Sequence, residues 1–275
     1  MNNIFIIYHP MVPATRIKAE KVGDMLTATG ARVRLGSSWD KDSIRAEIDG
    51  VDLVITVGGD GTILRTAQIV LGLDIPIAGI NMGRLGFMTE LSPNEAERKL
   101  TLILQGKGRA DDRRMLEITL VKKDGEKHTM HVLNDVVVAR GGQARTVGIA
   151  MRINGKTGPK YRADGVVMAT ATGSTGYSMA LGGPVIYPTS ADFLLTPIAP
   201  HIHSRVSMVL PKSAKASLQM VSPFPGLLCA DGHTTHEVAA VDTVYIKKSP
   251  YTTRFLRIRP KTLFPRSLKQ NLKGM

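Results

Sequence analysis

With one cysteine, Cys229, among 275 residues, the chain has no possible intramolecular disulfide, and a lone thiol reads as a core residue rather than a nucleophile. No stretch approaches the length of a membrane span. The opening "MNNIFIIYHP" lacks the basic flank and the long apolar run of a signal peptide, so the cytoplasm is the expected location. Aromatic residues make up only 5%, but 43% are apolar, which excludes a disordered or fibrous chain and predicts a folded, soluble one. Acids are absent from residues 247–275, "KKSPYTTRFLRIRPKTLFPRSLKQNLKGM", which hold nine Lys or Arg. Of the formal charge of +13, the rest of the chain therefore carries only +4. Such a tail either binds an anionic partner, nucleic acid included, or is solvated charge. The alternation in "TRFLRIRPKTLF" predicts a strand ending against the body of the protein, then a helical or frayed terminus.

The length suits one large or two ordinary domains. "NIFIIYHP" is strand-like, and "ATRIKAEKVGDMLTATG" has helical spacing at Ile17, Val22, Met25 and Leu26, stopped by Gly30. "ARVRLG", "VDLVITV" and "IPIAGIN" read as strands, with helical pattern in "SIRAEIDG" and "TILRTAQIVLGL" between them. This alternation predicts an open, Rossmann-like α/β domain over residues 1–110. After "GKGRADDRR" the pattern becomes apolar/polar alternation, with "KDGE" as a turn between strands. The prediction for 111–250 is an antiparallel β-sandwich, followed by a basic tail, 251–275, packing back on the first domain. The fold class is therefore α/β plus all-β.

The stretch "DLVITVGGDGT" passes from a buried strand into a helix through glycines, a geometry that turns backbone N–H groups and a helix N-terminus toward an anion. No Lys-Ser/Thr follows the last glycine, which excludes the P-loop, and the spacing is not that of the Rossmann dinucleotide fingerprint. A tight hairpin turn at "DG" conflicts with the flanking strand and helix. Asp60 in the middle of the loop is either a helix cap or a proton acceptor. Asn134 and Asp135 interrupt the otherwise buried run "MHVLNDVVVAR", which is costly unless both find partners, or marks a turn.

"GGDGT" after a buried strand resembles the superfamily of NAD kinases, diacylglycerol-type lipid kinases and 6-phosphofructokinases. Four further stretches, "NMGRLGFMTEL", "LNDVVVAR", "RADGVVMATATGSTGYSMALGGP" and "LTPIAPH", are similar to the successive motifs of bacterial NAD kinases. The resemblance extends to about Lys248.

It implies transfer of the γ-phosphoryl group of ATP, or of inorganic polyphosphate, to the 2′-hydroxyl of the adenosine ribose of NAD, giving NADP. Mg²⁺ or another divalent cation would arrive with ATP. Asp60 would be the general base, with Gly58, Gly59, Gly61 and Thr62 forming the phosphate loop. Asp60→Asn is then expected to leave folding intact and abolish NADP formation. Asn134, Asp135 and Arg145 would contact the dinucleotide, as would Arg162 and Asp164. In the following loop Thr172, Ser174, Thr175, Gly176, Tyr177, Ser178 and Ala180 would line its pocket. Phe87 matches a position whose ring lies near the adenine, or else is a core residue. Arg65 either reaches a phosphate or sits on a solvated helix face. The resemblance also implies a homodimer or homotetramer, with no membrane or nucleic-acid partner.

Departures from the family pattern fall at Ala171, Gly176, Ala180, Leu181 and His233, where Ala180 lacks a hydroxyl that could bond the dinucleotide and His233, at a substrate-contacting position, replaces a common glutamine. The pairs "HIH" and "HTTH" lack clustered acids or cysteines that would complete a structural zinc site, so no resident metal is expected. A lipid kinase would need an apolar acceptor groove in place of Asn134 and Asp135. A sensor binding NAD(P) without turnover would be expected to have lost Asp60.

Overall fold

The structure, a computed structural model, describes residues 1–83, 86–142, 145–201 and 206–260, and Leu268. The expected terminus beyond 260 and His203 of "HIH" lie outside the described residues, as do positions 84–85 of "NMGRLGFMTEL". The chain forms two compact units, residues 1–112 with the chain from Thr253 onward, and residues 113–252.

In the first unit the apolar runs become β1 (Asn3–Tyr8), β2 (Arg32–Ser37), β3 (Leu53–Gly58) and β4 (Ile77–Asn81). Between them lie α1 (Pro13–Ala28), α2 (Lys41–Glu47) and α3 (Asp60–Ile69), and α4 (Ala96–Leu102) follows, ending in a π-helical turn, Ile103–Lys107. The four strands are parallel in the order β2-β1-β3-β4, and Phe255 pairs in parallel with Ile77 beyond β4. Every residue of β3 and β4 is buried, as their β-branched composition requires of central parallel strands. The helical period of α1 is right, and of the four residues expected on its apolar face Val22 and Leu26 are buried and Met25 packs against the core, but Ile17 does not join them. Thr15, Ala19, Val22, Gly23 and Leu26 are buried, whereas Ile17 is 67% exposed. The order 2-1-3-4 reverses direction between β1 and β3, and the crevice at the carboxyl ends of such strands is where open α/β sheets bind ligands. The glycine loop leaves β3 at that edge.

Over its described residues the second unit is β apart from two short turns of helix. Its strands are β5 (Arg109–Val121), β6 (Lys127–Val132), β7 (Asp135–Arg140), β8 (Val147–Ile153), β9 (Lys156–Ala163) and β10 (Gly165–Thr170). A 3₁₀ turn at Gly173–Thr175 and α5 (Tyr177–Ala180) precede β11 (Phe193–Ile198), β12 (Met208–Leu210), β13 (Ala216–Met220), β14 (Gly226–Ala230), β15 (Thr234–Val238) and β16 (Thr243–Arg257). One sheet runs β12-β11-β10-β7-β14-β15, antiparallel throughout. The other joins the β5–β6 hairpin, β16, β13, β8 and β9.

Side chains from both sheets, among them Ile118, Ile149, Val166, Phe193, Leu218 and Leu228, form the sandwich core. Burying each of these contributes on the order of 1.5–3 kcal/mol before the entropy of ordering is subtracted. A second apolar layer, Val167, Ala169, Leu194 and Ile198, covers the other face of β10 and β11. Those strands are therefore buried throughout, and they carry the loop after β10 on a rigid base.

The basic end of the chain is not a solvated charge run over its described part. Arg254 pairs with Asp112 at 2.8 Å and Asp74 at 2.7 Å, and Arg259 pairs with Glu95 at 2.8 Å. Arg257 is buried beside Asp111 and Glu90. Among the described residues no helix is long and apolar enough to cross a membrane.

Candidate active site

The glycines around Asp60 have different physical reasons. A Cβ on Gly58 would lie 2.2 Å from the Thr62 hydroxyl, so the tight strand-to-helix turn itself requires glycine there. At Gly59 and Gly61 a Cβ would meet nothing within 4 Å, and neither has a positive φ. Neither glycine is therefore required by a clash or by a left-handed backbone, and the open space beside them would let a ligand approach the backbone.

Asp60 opens α3 without capping it. Its carboxylate faces a second loop instead: Oδ2 accepts from the Phe87 N–H at 2.8 Å, and Oδ1 from the Met88 and Thr89 N–H groups, both at 3.1 Å. A Cβ on Gly86 would come within 2.2 Å of Oδ1, which makes Gly86 a partner of Asp60 that spacing alone does not reveal. The half-buried Phe87 thus joins the site through its backbone. Arg65 lies apart from this contact, its guanidinium 5.7 Å from the ring centroid of the exposed Trp39, beside which His9 also sits.

In the second unit Asn134 occupies a bend between β6 and β7 rather than the interior of a strand, and Asp135 begins β7. The backbone of the bend is held by Asp231, whose carboxylate takes the N–H groups of Leu133, Asn134 and Asp135 at 2.8, 2.7 and 3.1 Å. Asp231 follows β14 in a left-handed turn with Gly232, nearly a hundred residues away in sequence, so no local pattern announces this role. His233 belongs to the same turn, its Nδ1 2.8 Å from the Asp231 carbonyl oxygen. The Asn134 amide donates to Asp135 Oδ2 at 3.1 Å, so a half-buried amide and a buried carboxylate are held in one mutual orientation.

The loop after β10 closes onto this bend. Thr170 donates through its N–H to the Asn134 carbonyl at 2.9 Å and through its hydroxyl to the Leu133 carbonyl at 2.6 Å. Several hydroxyls of "TATGSTGYS" are committed to the protein. Ser174 donates to the Ala171 carbonyl at 2.7 Å, Thr175 to the Thr172 carbonyl at 3.1 Å, and Ser178 shares a 2.7 Å bond with Thr196. Thr172 accepts from Arg113 at 3.4 Å. Tyr177 and Ala180, three apart on α5, are the exposed members. At Gly176 a Cβ would stand 2.8 Å from the Asn134 amide nitrogen, the movable end of that side chain.

Arg145 and Arg162 are brought together, lining a cavity of about 650 Å³ with Lys160 and Phe224, over whose ring Arg145 lies at 5.1 Å. Asp164 does not join them and pairs with Arg140 at 3.2 Å. Cys229 is half-buried on β14, less enclosed than the expected core thiol. Among the described residues no three His, Cys, Asp or Glu side chains converge on a metal-sized site.

Burial pushes the Asp135 carboxyl up to about 6, partly offset by the Asn134 hydrogen bond. Burial likewise pushes Asp231 up to about 7; the three N–H bonds oppose the shift and the neighbouring Asp135 charge adds to it. Both carboxyls bind protons more tightly in the folded chain than in the unfolded one. The stability these two carboxyls contribute is therefore present at acid pH and is lost as pH rises through 6 and 7. Thermal melts in a pH series should show a loss on the order of 2–4 kcal/mol between pH 5 and 8, and Asp135→Asn should flatten it. A pH dependence that Asp135→Asn leaves unchanged would contradict the assignment.

Residues 8–108 match the family model of the ATP-NAD kinase N-terminal domain, and residues 133–258 match that of the ATP-NAD kinase C-terminal domain. An NAD kinase of Dehalococcoides mccartyi (strain CBDB1) is 42% identical over 98% of this chain and 96% of its own length. One from Chloroflexus aggregans is 34% identical over 99% of both. Among solved structures, yeast NADH kinase complexed with NADH superposes with a TM-score of 0.90 at 24% identity, over 99% of this chain and 88% of that one. An NAD kinase from Archaeoglobus fulgidus in complex with ATP gives 0.78 at 26% identity, over 99% of both.

Proposed function

Because the chain belongs to the ATP-NAD kinase family, we propose that it transfers the γ-phosphoryl group of ATP to the 2′-hydroxyl of the adenosine ribose of NAD, with Asp60 as general base. The observation carrying this reading is the pair Gly59 and Gly61, which no clash and no left-handed backbone requires, on either side of a carboxylate at the edge where such sheets bind ligands. A ribose hydroxyl is a poor nucleophile at neutral pH, and a carboxylate that takes its proton as the O–P bond forms removes that barrier. The N–H groups of Phe87, Met88 and Thr89 hold Asp60 in one orientation, as proton transfer needs. They take three of roughly four lone-pair directions of the carboxylate. The acceptor hydroxyl therefore competes for what remains or displaces one N–H, coupling substrate arrival to the loop.

Asn134 and Asp135 supply an amide and a carboxylate suited to a ribose diol, and Tyr177 an exposed ring for a base. A divalent cation would be held mainly by ATP phosphate oxygens and water. When bound, it would neutralise charge on the transferring phosphoryl group. A homodimer or homotetramer completing the pocket belongs to the same proposal. The test incubates the purified protein with Mg²⁺, NAD and either ATP or polyphosphate, scoring NADP with a strictly NADP-dependent dehydrogenase. No product with either donor, alongside tight NAD(P) binding, would replace the kinase reading with that of a sensor.

A further inference from the structure

We propose that Arg257 is a positioning residue for Asp60, acting through the peptide bond between Met88 and Thr89; this rests on the reading of Asp60 as the base. The carbonyl of Met88 and the N–H of Thr89 belong to one planar peptide group. Arg257 Nη1 donates to that carbonyl at 2.5 Å, and the Thr89 N–H donates to Asp60 Oδ1 at 3.1 Å. The two bonds run in series, from guanidinium to carbonyl and from amide to carboxylate. A charge-assisted bond at the carbonyl polarises the peptide and strengthens its N–H as a donor. The buried cation thus acts on the carboxylate at one remove.

The surroundings of Arg257 fit such a role better than a purely stabilising one. The residue is buried at the end of β16, with Nε 3.3 Å from Asp111 and 3.5 Å from Glu90, both also buried. Buried ion clusters of this kind add little stability over an apolar packing of the same volume, so their placement calls for another reason. Glu90 supplies a second tie, since its Oε1 accepts the N–H groups of Ile258 and Arg259, both at 2.6 Å. Residues 87–90 are accordingly gripped from two sides, by Asp60 on one and by the end of β16 on the other. Sequence spacing gives no hint of this, because Arg257 sits in a run that reads as surplus positive charge.

Arg257→Gln and Arg257→Lys, compared with Asp60→Asn, test the inference. Arg257→Gln should lower kcat by about tenfold or more, since small misplacements of a reacting group cost up to about 10²-fold, with KM for NAD and ATP nearly unchanged. Arg257→Lys, whose ammonium still reaches the Met88 carbonyl, should recover part of the loss. In ¹H–¹⁵N spectra the Thr89 amide should move upfield in Arg257→Gln as it does in Asp60→Asn. A merely structural role would lower Tm yet leave kcat per folded molecule and the Thr89 resonance unchanged, and that result overturns the proposal. If Arg257→Gln does not fold, Arg257→Lys is judged by the same readouts against wild type. Wild-type kcat in the Arg257 variants with an inactive Asp60→Asn removes Arg257 alone; an active Asp60→Asn removes the base reading and this inference together.

Discussion

Asp60→Asn is expected to cut NADP formation by on the order of 10²-fold or more, with NAD still bound. The structure changes what else this variant does. In the wild type three backbone N–H groups point at two carboxylate oxygens, Phe87 at Oδ2 and Met88 and Thr89 at Oδ1. Whichever way the asparagine amide turns, its NH₂ meets at least one N–H that had an acceptor. Leaving a buried donor without an acceptor costs about 1–3 kcal/mol, so the expectation of unperturbed folding gives way to a modest fall in Tm. Gly86→Ala separates the two effects, because its Cβ would strike Asp60 Oδ1 at 2.2 Å while leaving the carboxylate chemically intact. If loss of the loop contact explains the rate, Gly86→Ala should fall as far as Asp60→Asn. If proton acceptance explains it, Asp60→Asn should fall further, and initial rates with both substrates saturating decide between them. An Asp60→Asn enzyme with wild-type turnover would remove the carboxylate from the mechanism.

What was readable in the sequence followed the range of the interaction. Buried parallel strands advertise themselves as short β-branched runs, so β1, β3 and β4 and the helices between them were legible from pattern alone. Periodicity did less well at choosing a face. Ile17 fits the helical spacing and is still exposed, because small residues, Ala19 and Gly23, let α1 pack closely on its other side. The Asn134–Asp135 pair was visible as a polar break, but the bend that holds it depends on Asp231, which only the folded sandwich brings near. The small hydroxyl residues after β10 look alike in sequence. Their geometry divides them into internal braces, Ser174 and Ser178, and an outward face led by Tyr177. In the basic end of the chain, the charge of Arg257 was plain and its burial was not, since the acids that neutralise it lie some 150 residues earlier.

Two kinds of glycine should respond oppositely to the same exchange. At Gly173 an alanine Cβ would sit 2.1 Å from the Asn134 carbonyl oxygen and 2.6 Å from its carbon, contacts with backbone rather than a flexible side chain. That carbonyl cannot withdraw cheaply. It accepts the Thr170 N–H at 2.9 Å, and the N–H groups on either side of it are fixed by Asp231. Overpacking against an immobile backbone costs about 3 kcal/mol, so Gly173→Ala should lose several degrees in Tm. It should also raise KM for NAD steeply, because the strain is released at the bend that presents Asn134 and Asp135. Gly59→Ala and Gly61→Ala meet no protein atom and need no left-handed backbone. Gly61→Ala should stay within about 0.5 kcal/mol of wild type or rise slightly, as alanine reduces the freedom of the unfolded chain, and Gly59→Ala, at the N-cap of α3, should lose no more than about 1 kcal/mol. Catalytic efficiency toward ATP should nevertheless drop on the order of tenfold or more, since a methyl group holds the phosphates off the helix N-terminus. Calorimetric Tm set against kcat/KM for each substrate gives the comparison. A Gly59→Ala enzyme as efficient toward ATP as wild type would mean that the phosphates do not approach that backbone, and a Gly173→Ala protein melting like wild type would mean that the loop after β10 does not rest on the Asn134 bend.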